Sequence, residues 1–385
     1  MGKLRRILAL ALVATIALAL IACGSKTDNN PATQGSGGTS PAGSAPAPET
    51  PVEVIELRWS IAWPVSNHVN QNLAPWYVEE ISKRTNGRVK ITVFNGGELL
   101  DVPGTYEGIV NGIADMGTSR FGSTPGRFPI MSAFEMPGFN FNNTYVANYT
   151  FREIIAKYNP PDIQDTHLLW VDSPSPAYLY TKMPVSRLED IQGRQIRGDG
   201  MVGEALLALG ATPVSISIND AYIALQNNVA EGILDAFGGL QLSKLGEVTD
   251  YMILVRGVNP GACFFNTMNL DKWNSLPPDI QDIFTQLSAE AVEYSTKMFW
   301  DYEEVGVQFG YDEGMKAMLL NPGEDARWLE AIKVVEENWV NAGDGSFDRA
   351  GMMADFKALI AKYNAEYPDR WPSVLEELYP DISVS

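Results

Sequence analysis

The sequence predicts an α/β fold assembled from two successive strand–helix units. Three observations carry this prediction. Alternating stretches and helical stretches follow one another from residue 55 to about residue 120, and a second such series begins near residue 195. One unbroken helical stretch after residue 277 is longer than a single unit requires.

Ile55-Glu56-Leu57-Arg58-Trp59-Ser60-Ile61 alternates with the period of a strand. Residues 69–85 have helical spacing, with Pro75 in the first turn or kinking the helix, because proline lacks the amide donor. Asn86-Gly87 stops that helix. Val89-Lys90-Ile91-Thr92-Val93-Phe94 is a second strand, closed by Asn95-Gly96-Gly97. Residues 105–111 form a short helix, and Ala114-Asp115-Met116-Gly117 begins another strand. Such alternation implies a mainly parallel sheet. In the second unit, Gln195-Ile196-Arg197 is a strand after the Gln192-Gly193 turn, residues 201–209 a helix ending at Gly210, and Pro213-Val214-Ser215-Ile216 a strand. Asn219 is placed to cap a helix over residues 221–226. The long helix opens at Pro277-Pro278-Asp279. Ile283, Phe284, Leu287, Ala291, Tyr294, Met298, Tyr302 and Val305 recur along it at three- and four-residue steps. No breaker intervenes before Gly306, so the helix can brace both units. Two more helical runs follow, near residues 325–340 and 351–363.

The N-terminus reads as an export signal. Lys3, Arg5 and Arg6 precede the uncharged apolar stretch 7–21, which ends in Leu20-Ile21-Ala22-Cys23-Gly24-Ser25. Small residues before a cysteine at that point form a bacterial lipobox, so residues 1–22 are expected to be removed and Cys23 to carry lipid. Residues 23–50 are then the lipidated cysteine and a Gly-, Ser-, Thr- and Pro-rich tether, too poor in apolar bulk to fold. A flexible chain of that length spans roughly 30 Å end to end.

Net charge narrows the partners. The chain carries −19, and its first 22 residues hold three positive charges and no negative ones, which leaves −22 on residues 23–385. A body so acidic repels nucleic acid and anionic lipid surfaces, so no nucleic-acid partner is expected. An anionic ligand would need positive charge supplied by its own site. With Cys23 lipidated, Cys263 stands alone, and His68 and His167 are the only histidines; no disulfide, cysteine cluster or multi-histidine metal site follows. No Ser-His-Asp, Cys-His, P-loop or GxGxxG pattern stands in a credible context, and Gly96-Gly97 and Gly238-Gly239 read as turns. Poor catalytic equipment beside many aromatic residues favours binding over turnover, with no enzymatic activity expected.

Seven ordered stretches over about 220 residues carry a resemblance. They are Thr85-Asn86-Gly87-Arg88-Val89-Lys90-Ile91 with Asn95-Gly96-Gly97-Glu98-Leu99; Gly112-Ile113-Ala114-Asp115-Met116; Gly126-Arg127-Phe128-Pro129; Asp190-Ile191-Gln192-Gly193-Arg194-Gln195-Ile196-Arg197; Leu209-Gly210-Ala211-Thr212-Pro213-Val214; Ala224-Leu225-Gln226-Asn227-Asn228-Val229-Ala230-Glu231-Gly232; and Met268-Asn269 with Trp273-Asn274-Ser275-Leu276-Pro277. In this order they resemble the DctP-type extracytoplasmic binding proteins of TRAP transporters. The resemblance implies a two-lobed, periplasmic-binding-protein-like fold: two α/β lobes, hinge strands and a long lobe-spanning helix. It assigns residues 51–174 with about 264–305 to lobe I, and 175–263 with about 306–385 to lobe II. It also implies a small organic acid as ligand and the small and large TRAP membrane subunits as partners.

The family's signature arginine falls at Arg197, whose guanidinium fork matches a carboxylate with two parallel hydrogen bonds. Tyr178 stands where some members carry a second arginine. Leu234 stands where members that bind 2-oxoacids through a metal carry a glutamate, with Asp235 beside it, so no metal or other cofactor is expected. Trp63, Arg120, Tyr178, Ile218 and Asp235 align with ligand-contact positions. Trp63 and Tyr178 read equally well as core residues, and Arg120 as half of a structural ion pair. A binding protein of an ABC importer and a secreted hydrolase are the rival readings.

Overall fold

The first strand, β1 (Ile55–Ile61), falls where the alternation places it and buries Leu57, Trp59 and Ile61. It opens a computed structural model that describes residues 54–384 apart from 175, 259, 260 and 381. The export signal, Cys23 and the tether lie outside the described residues. A wide turn at Val69–Leu73 leads into α1 (Ala74–Arg84). Pro75, unable to donate, sits at the start of α1, so the predicted helix is divided at its first turn. Then come β2 (Val89–Asn95), α2 (Thr105–Val110), β3 (Met116–Arg120), α3 (Thr144–Tyr158) and β4 (Thr166–Asp172). The second series holds β5 (Tyr178–Thr181), β6 (Gln195–Arg197), α4 (Gly200–Ala208), β7 (Thr212–Val214), α5 (Ala221–Gln226), β8 (Gly232–Asp235), α6 (Gly238–Leu242) and β9 (Tyr251–Leu254). The chain closes with β10 (Phe264–Asn269), α7 (Leu270–Ser275), α8 (Pro278–Asp312), β11 (Lys316–Leu319), α9 (Pro322–Asn341), α10 (Arg349–Glu366), α11 (Trp371–Leu378) and β12 (Ser383–Val384).

The strands form two sheets, ordered β2-β1-β3-β10-β4 and β12-β11-β9-β5-β8-β6-β7. Both are mixed rather than mainly parallel. The antiparallel strands are β10 in the first sheet and β5 in the second. The chain path explains why. β4 and β9 leave their sheets at carboxyl ends and cross over, and the strands they feed, β5 and β10, start at the crossing and run away from it. The carboxyl ends of the other strands therefore gather on the side where the two sheets meet. In open α/β sheets that is where ligands bind.

Helix α8 joins the lobes by contributing to both cores. Ile280, Phe284, Leu287, Ala291 and Phe299 pack with β1 and α1, whereas Val307 packs with α6 and β8. It runs through Gly306, which the sequence suggested as its end. A Cβ there would lie 1.9 Å from the Phe237 carbonyl oxygen, so this glycine permits close packing of α6 on α8.

Other expectations need correction. The C-terminal segment is divided rather than assigned whole to lobe II. Trp328 and Ile332 of α9 pack with the second sheet, but Val335 and Trp339 join α10 and α3 in the first-lobe core. Phe356 of α10 meets Phe134, Phe139 and Phe151 there. Helix α11, unpredicted, returns Trp371 and Leu375 to the second lobe. Gly238-Gly239 opens α6 rather than making a turn. Asn219 lies inside a short 3-10 turn instead of capping α5, and its Nδ2 donates to the Ala62 carbonyl of the first lobe at 3.3 Å.

Candidate functional site

A cavity of about 350 Å³ opens among the gathered carboxyl ends, within the usual size range of small-molecule sites. Trp63 follows β1, Arg120 ends β3 and Phe264 begins β10. Arg197 ends β6, Ile216 and Ile218 follow β7, and Asp235 ends β8. Phe299 and Tyr302 of α8 form part of the wall.

Arg197 is 8% exposed, and its backbone neighbour Ile196 is fully buried. Its Nε donates to the Ile216 carbonyl at 2.9 Å, and its Nη2 lies 3.7 Å from Asp199 Oδ2. Among the described residues its terminal nitrogens donate no hydrogen bond, so the carboxylate-matching edge of the fork is unused. Burial pushes the Arg197 pKa down, and the Asp199 charge offsets that only in part.

Arg120 is equally buried but differently partnered. Its Nε and Nη2 donate to Glu135 at 2.8 and 2.7 Å, and its Nη1 donates to Asp199 at 2.6 Å. Burial opposes the Arg120 charge, yet Glu135 and Asp199 outweigh it and raise the pKa. Of its two readings, the geometry favours the ion pair: each of the three guanidinium nitrogens is engaged by a carboxylate, which saturates its charge pairing and ties Asp199, from the other lobe, into place. Burial would raise the Asp199 pKa, but Arg120 and Arg197 together hold it low.

Asp235 accepts a hydrogen bond at Oδ1 from the Ala236 amide at 2.8 Å. Burial raises its pKa, against the opposing pull of Arg197 and that amide. Trp63 lies under the cavity with its ring 4.4 Å from that of Phe264. Ile218 is half-buried and packs on the cores of both lobes.

Tyr178 corrects an expectation. It is not among the lining residues; its ring stacks on Phe237 at 4.4 Å inside the second-lobe core, and the preceding Ala177 reaches the cavity instead. Five of the six aligned contact residues thus come together, and Tyr178 does not.

Sequence reasoning missed Asp199, His68 and the aromatic wall. Asp199 follows Arg197 by two residues, a signal that was available. Phe299 and Tyr302 lie in a helical stripe that looks like ordinary core. His68 stacks on Tyr302 at 3.1 Å, and burial lowers its pKa to about 3, so it presents a neutral ring. Among the described residues, no group of three or more His, Cys, Asp or Glu side chains could hold a metal ion.

Comparison with known proteins agrees with this architecture. The chain is 24% identical over 304 residues to a monocarboxylate 2-oxoacid-binding periplasmic protein of Nostoc sp. (strain PCC 7120), covering 75% of this chain and 76% of the relative. It is similar to the crystal structure of a TRAP periplasmic solute-binding protein from Desulfovibrio salexigens, with a TM-score of 0.72 and 26% identity over 82% of this chain and 99% of that one. A marine metagenome TRAP solute-binding protein specific for aromatic acid ligands, solved with metahydroxyphenylacetate, matches with a TM-score of 0.74 and 25% identity over 80% and 99%. Residues 60–341 match the model of the bacterial extracellular solute-binding proteins of family 7, DctP, and the chain belongs to that family, the extracytoplasmic binding proteins of TRAP transporters.

Proposed function

We propose that this protein is a lipid-anchored receptor that captures a small organic acid between its lobes and delivers it to the small and large subunits of a TRAP membrane transporter. The observation that carries the reading is the unused fork of Arg197 in a cavity walled by Trp63, Phe264 and Phe299. A guanidinium with a free edge matches one carboxylate, and the aromatic wall suits a flat apolar remainder. Arg120 is already saturated, and Tyr178 stands where a second arginine would be, so one carboxylate is the expected complement. The aromatic-acid ligand of the marine relative points the same way, and the 2-oxoacid ligand of the Nostoc relative is likewise a monocarboxylate. The ligand is expected to bind without metal, because Leu234 occupies the metal-coordinating position of the 2-oxoacid binders.

Anchoring rests on Cys23 in its lipobox, with residues 24–50 as tether. Cys23→Ala should release the protein from membranes or block its processing; an unchanged, processed, membrane-bound form would refute the anchor. Closure of the lobes over ligand follows the hinge pattern, with β4–β5, β9–β10 and α8 as the connections. The decisive experiment is mass spectrometry of ligand co-purified with the protein, followed by calorimetry with that compound. A carboxylic acid bound in a one-to-one ratio supports the reading; a neutral sugar or a peptide would end it.

A further inference from the structure

Two charged groups on one sheet face meet the cavity. Arg197 ends β6 and Asp235 ends β8, its parallel neighbour. Arg197 lies opposite Ile233, and side chains two residues apart on a strand point the same way, so Asp235 shares the face of Arg197. Strand spacing and rise put their Cα atoms about 8 Å apart. Asp235 Oδ1 is engaged by the Ala236 amide, but among the described residues no donor reaches Oδ2 and no cation lies within ion-pair distance. The neighbouring residue is Gly239, where a Cβ would come within 2.7 Å of Oδ2; a side chain there would crowd that oxygen. A plain carboxylate on Arg197 would therefore sit near a second acid that the bound ligand itself cuts off from water. That arrangement is repulsive unless the ligand brings something for Asp235 to accept.

We propose that Asp235 is a specificity-determining residue that selects acids carrying a hydrogen-bond donor, a hydroxyl or an ammonium, close to the carboxylate held by Arg197. The inference rests on the organic-acid reading and narrows it. A hydrogen bond to a charged group changes affinity by roughly 10- to 100-fold. Asp235 is half-buried and opens on the cavity, so a ligand that fills the cavity displaces the water at Oδ2, and a ligand donor replaces that lost partner.

Phenylacetate, mandelate and phenylglycine test this by calorimetry on the full chain, because they share ring and carboxylate and differ in an α-hydrogen, α-hydroxyl or α-ammonium. Mandelate or phenylglycine should bind at least about 10-fold tighter than phenylacetate, and which one wins separates hydroxyl from ammonium. In Asp235→Asn the Ala236 amide keeps the amide oxygen, which leaves Nδ2, a donor, facing the cavity. The preference should invert, with phenylacetate bound as well as before or better. Asp235→Ala removes both oxygens without adding a donor and should erase the preference without inverting it. Equal affinities for all three acids in the unmodified protein, or variants that weaken all three alike, would overturn the role of Asp235 while leaving the organic-acid reading intact. Failure of all three to bind would overturn the proposal for Asp235, whereas the organic-acid reading stands or falls with the identity of the co-purified ligand.

Discussion

The two lobes present the same pair of side chains at their strand ends and use them differently. The first ends β3 in Arg120 and β4 in Asp172; the second ends β6 in Arg197 and β8 in Asp235. Arg120 meets two carboxylates and is saturated, whereas Arg197 shares only Asp199, at 3.7 Å. Asp172 is sealed in the core, where its Oδ2 accepts hydrogen bonds from Trp170 Nε1 at 2.9 Å and from Asn266 Nδ2 at 3.5 Å. Asp235 opens on the cavity. A guanidinium is structural or functional according to how many acids surround it, and a carboxyl according to who supplies its donors. Residue type decides neither.

Removing the saturated arginine should have the largest effect. Arg120→Ala leaves Glu135, fully buried, and Asp199 without their shared cation. Breaking such a buried pair costs about 3–5 kcal/mol, so denaturant unfolding should show a loss of that order. A variant of unchanged stability would mean that the three-membered network contributes nothing to the fold.

The opposite arginine should behave in the opposite way. Arg197→Ala removes a desolvated charge that no protein carboxylate fully compensates, so folding should stay near normal. Binding should fall by about 2–5 kcal/mol, the cost of truncating one partner of a buried charge pair. Arg197→Lys keeps the charge without the fork and should bind weakly. Calorimetry with the co-purified acid measures both. Affinity of Arg197→Ala within about threefold of the unmodified protein, under 1 kcal/mol, would make Arg197 structural too.

The two acids differ in pH response. Burial raises the Asp172 pKa from the usual carboxylate value to about 7, so the fold favours its neutral form. Its contribution to stability is complete below about pH 4, declines as pH rises and is gone above about 7. His68 and His167, lowered by burial to about 3 and about 4, tilt stability the other way below their ordinary value of 6.5. The informative quantity is thus the difference between the unmodified protein and Asp172→Asn. Their stability gap should shift in favour of the variant between pH 4 and 8, by at most about 1.4 kcal/mol per pH unit. A gap that does not change with pH would show that Asp172 ionises freely.

How far the sequence reaches follows from the same contrast. Strands β1, β2 and β6, the stop at Asn86-Gly87 and the long helix were legible because local periodicity and breakers determine them. The position of Arg197, at a strand end facing the cavity, was legible because a local stretch of residues marks it. The direction of β5 and β10 was not, since alternation reads the same for parallel and antiparallel strands. Nor was the saturation of Arg120: Glu135 lies 15 residues away and Asp199 79. Gly306 and Gly238-Gly239 misled because a glycine that ends an element and one that lets two elements touch look alike in a chain.

The smallest expected effect belongs to Tyr178, where alignment and structure disagree. Alignment places it in the ligand's first contacts; the structure gives it to the second-lobe core, 5% exposed and stacked on Phe237. It lies opposite Asp235 on the neighbouring strand, close enough to the site for the two accounts to be confused. Tyr178→Phe separates them, because it keeps the ring and its stacking and removes only the hydroxyl. If that hydroxyl bonded the ligand carboxylate, its loss would cost about 1.5–3 kcal/mol, or roughly 10-fold or more in affinity. If Tyr178 is core, affinity should change by less than about twofold, around 0.4 kcal/mol, with the preference among acids unaltered. A tenfold loss confined to binding, with unfolding unchanged, would return Tyr178 to the site and add a second donor beside Arg197.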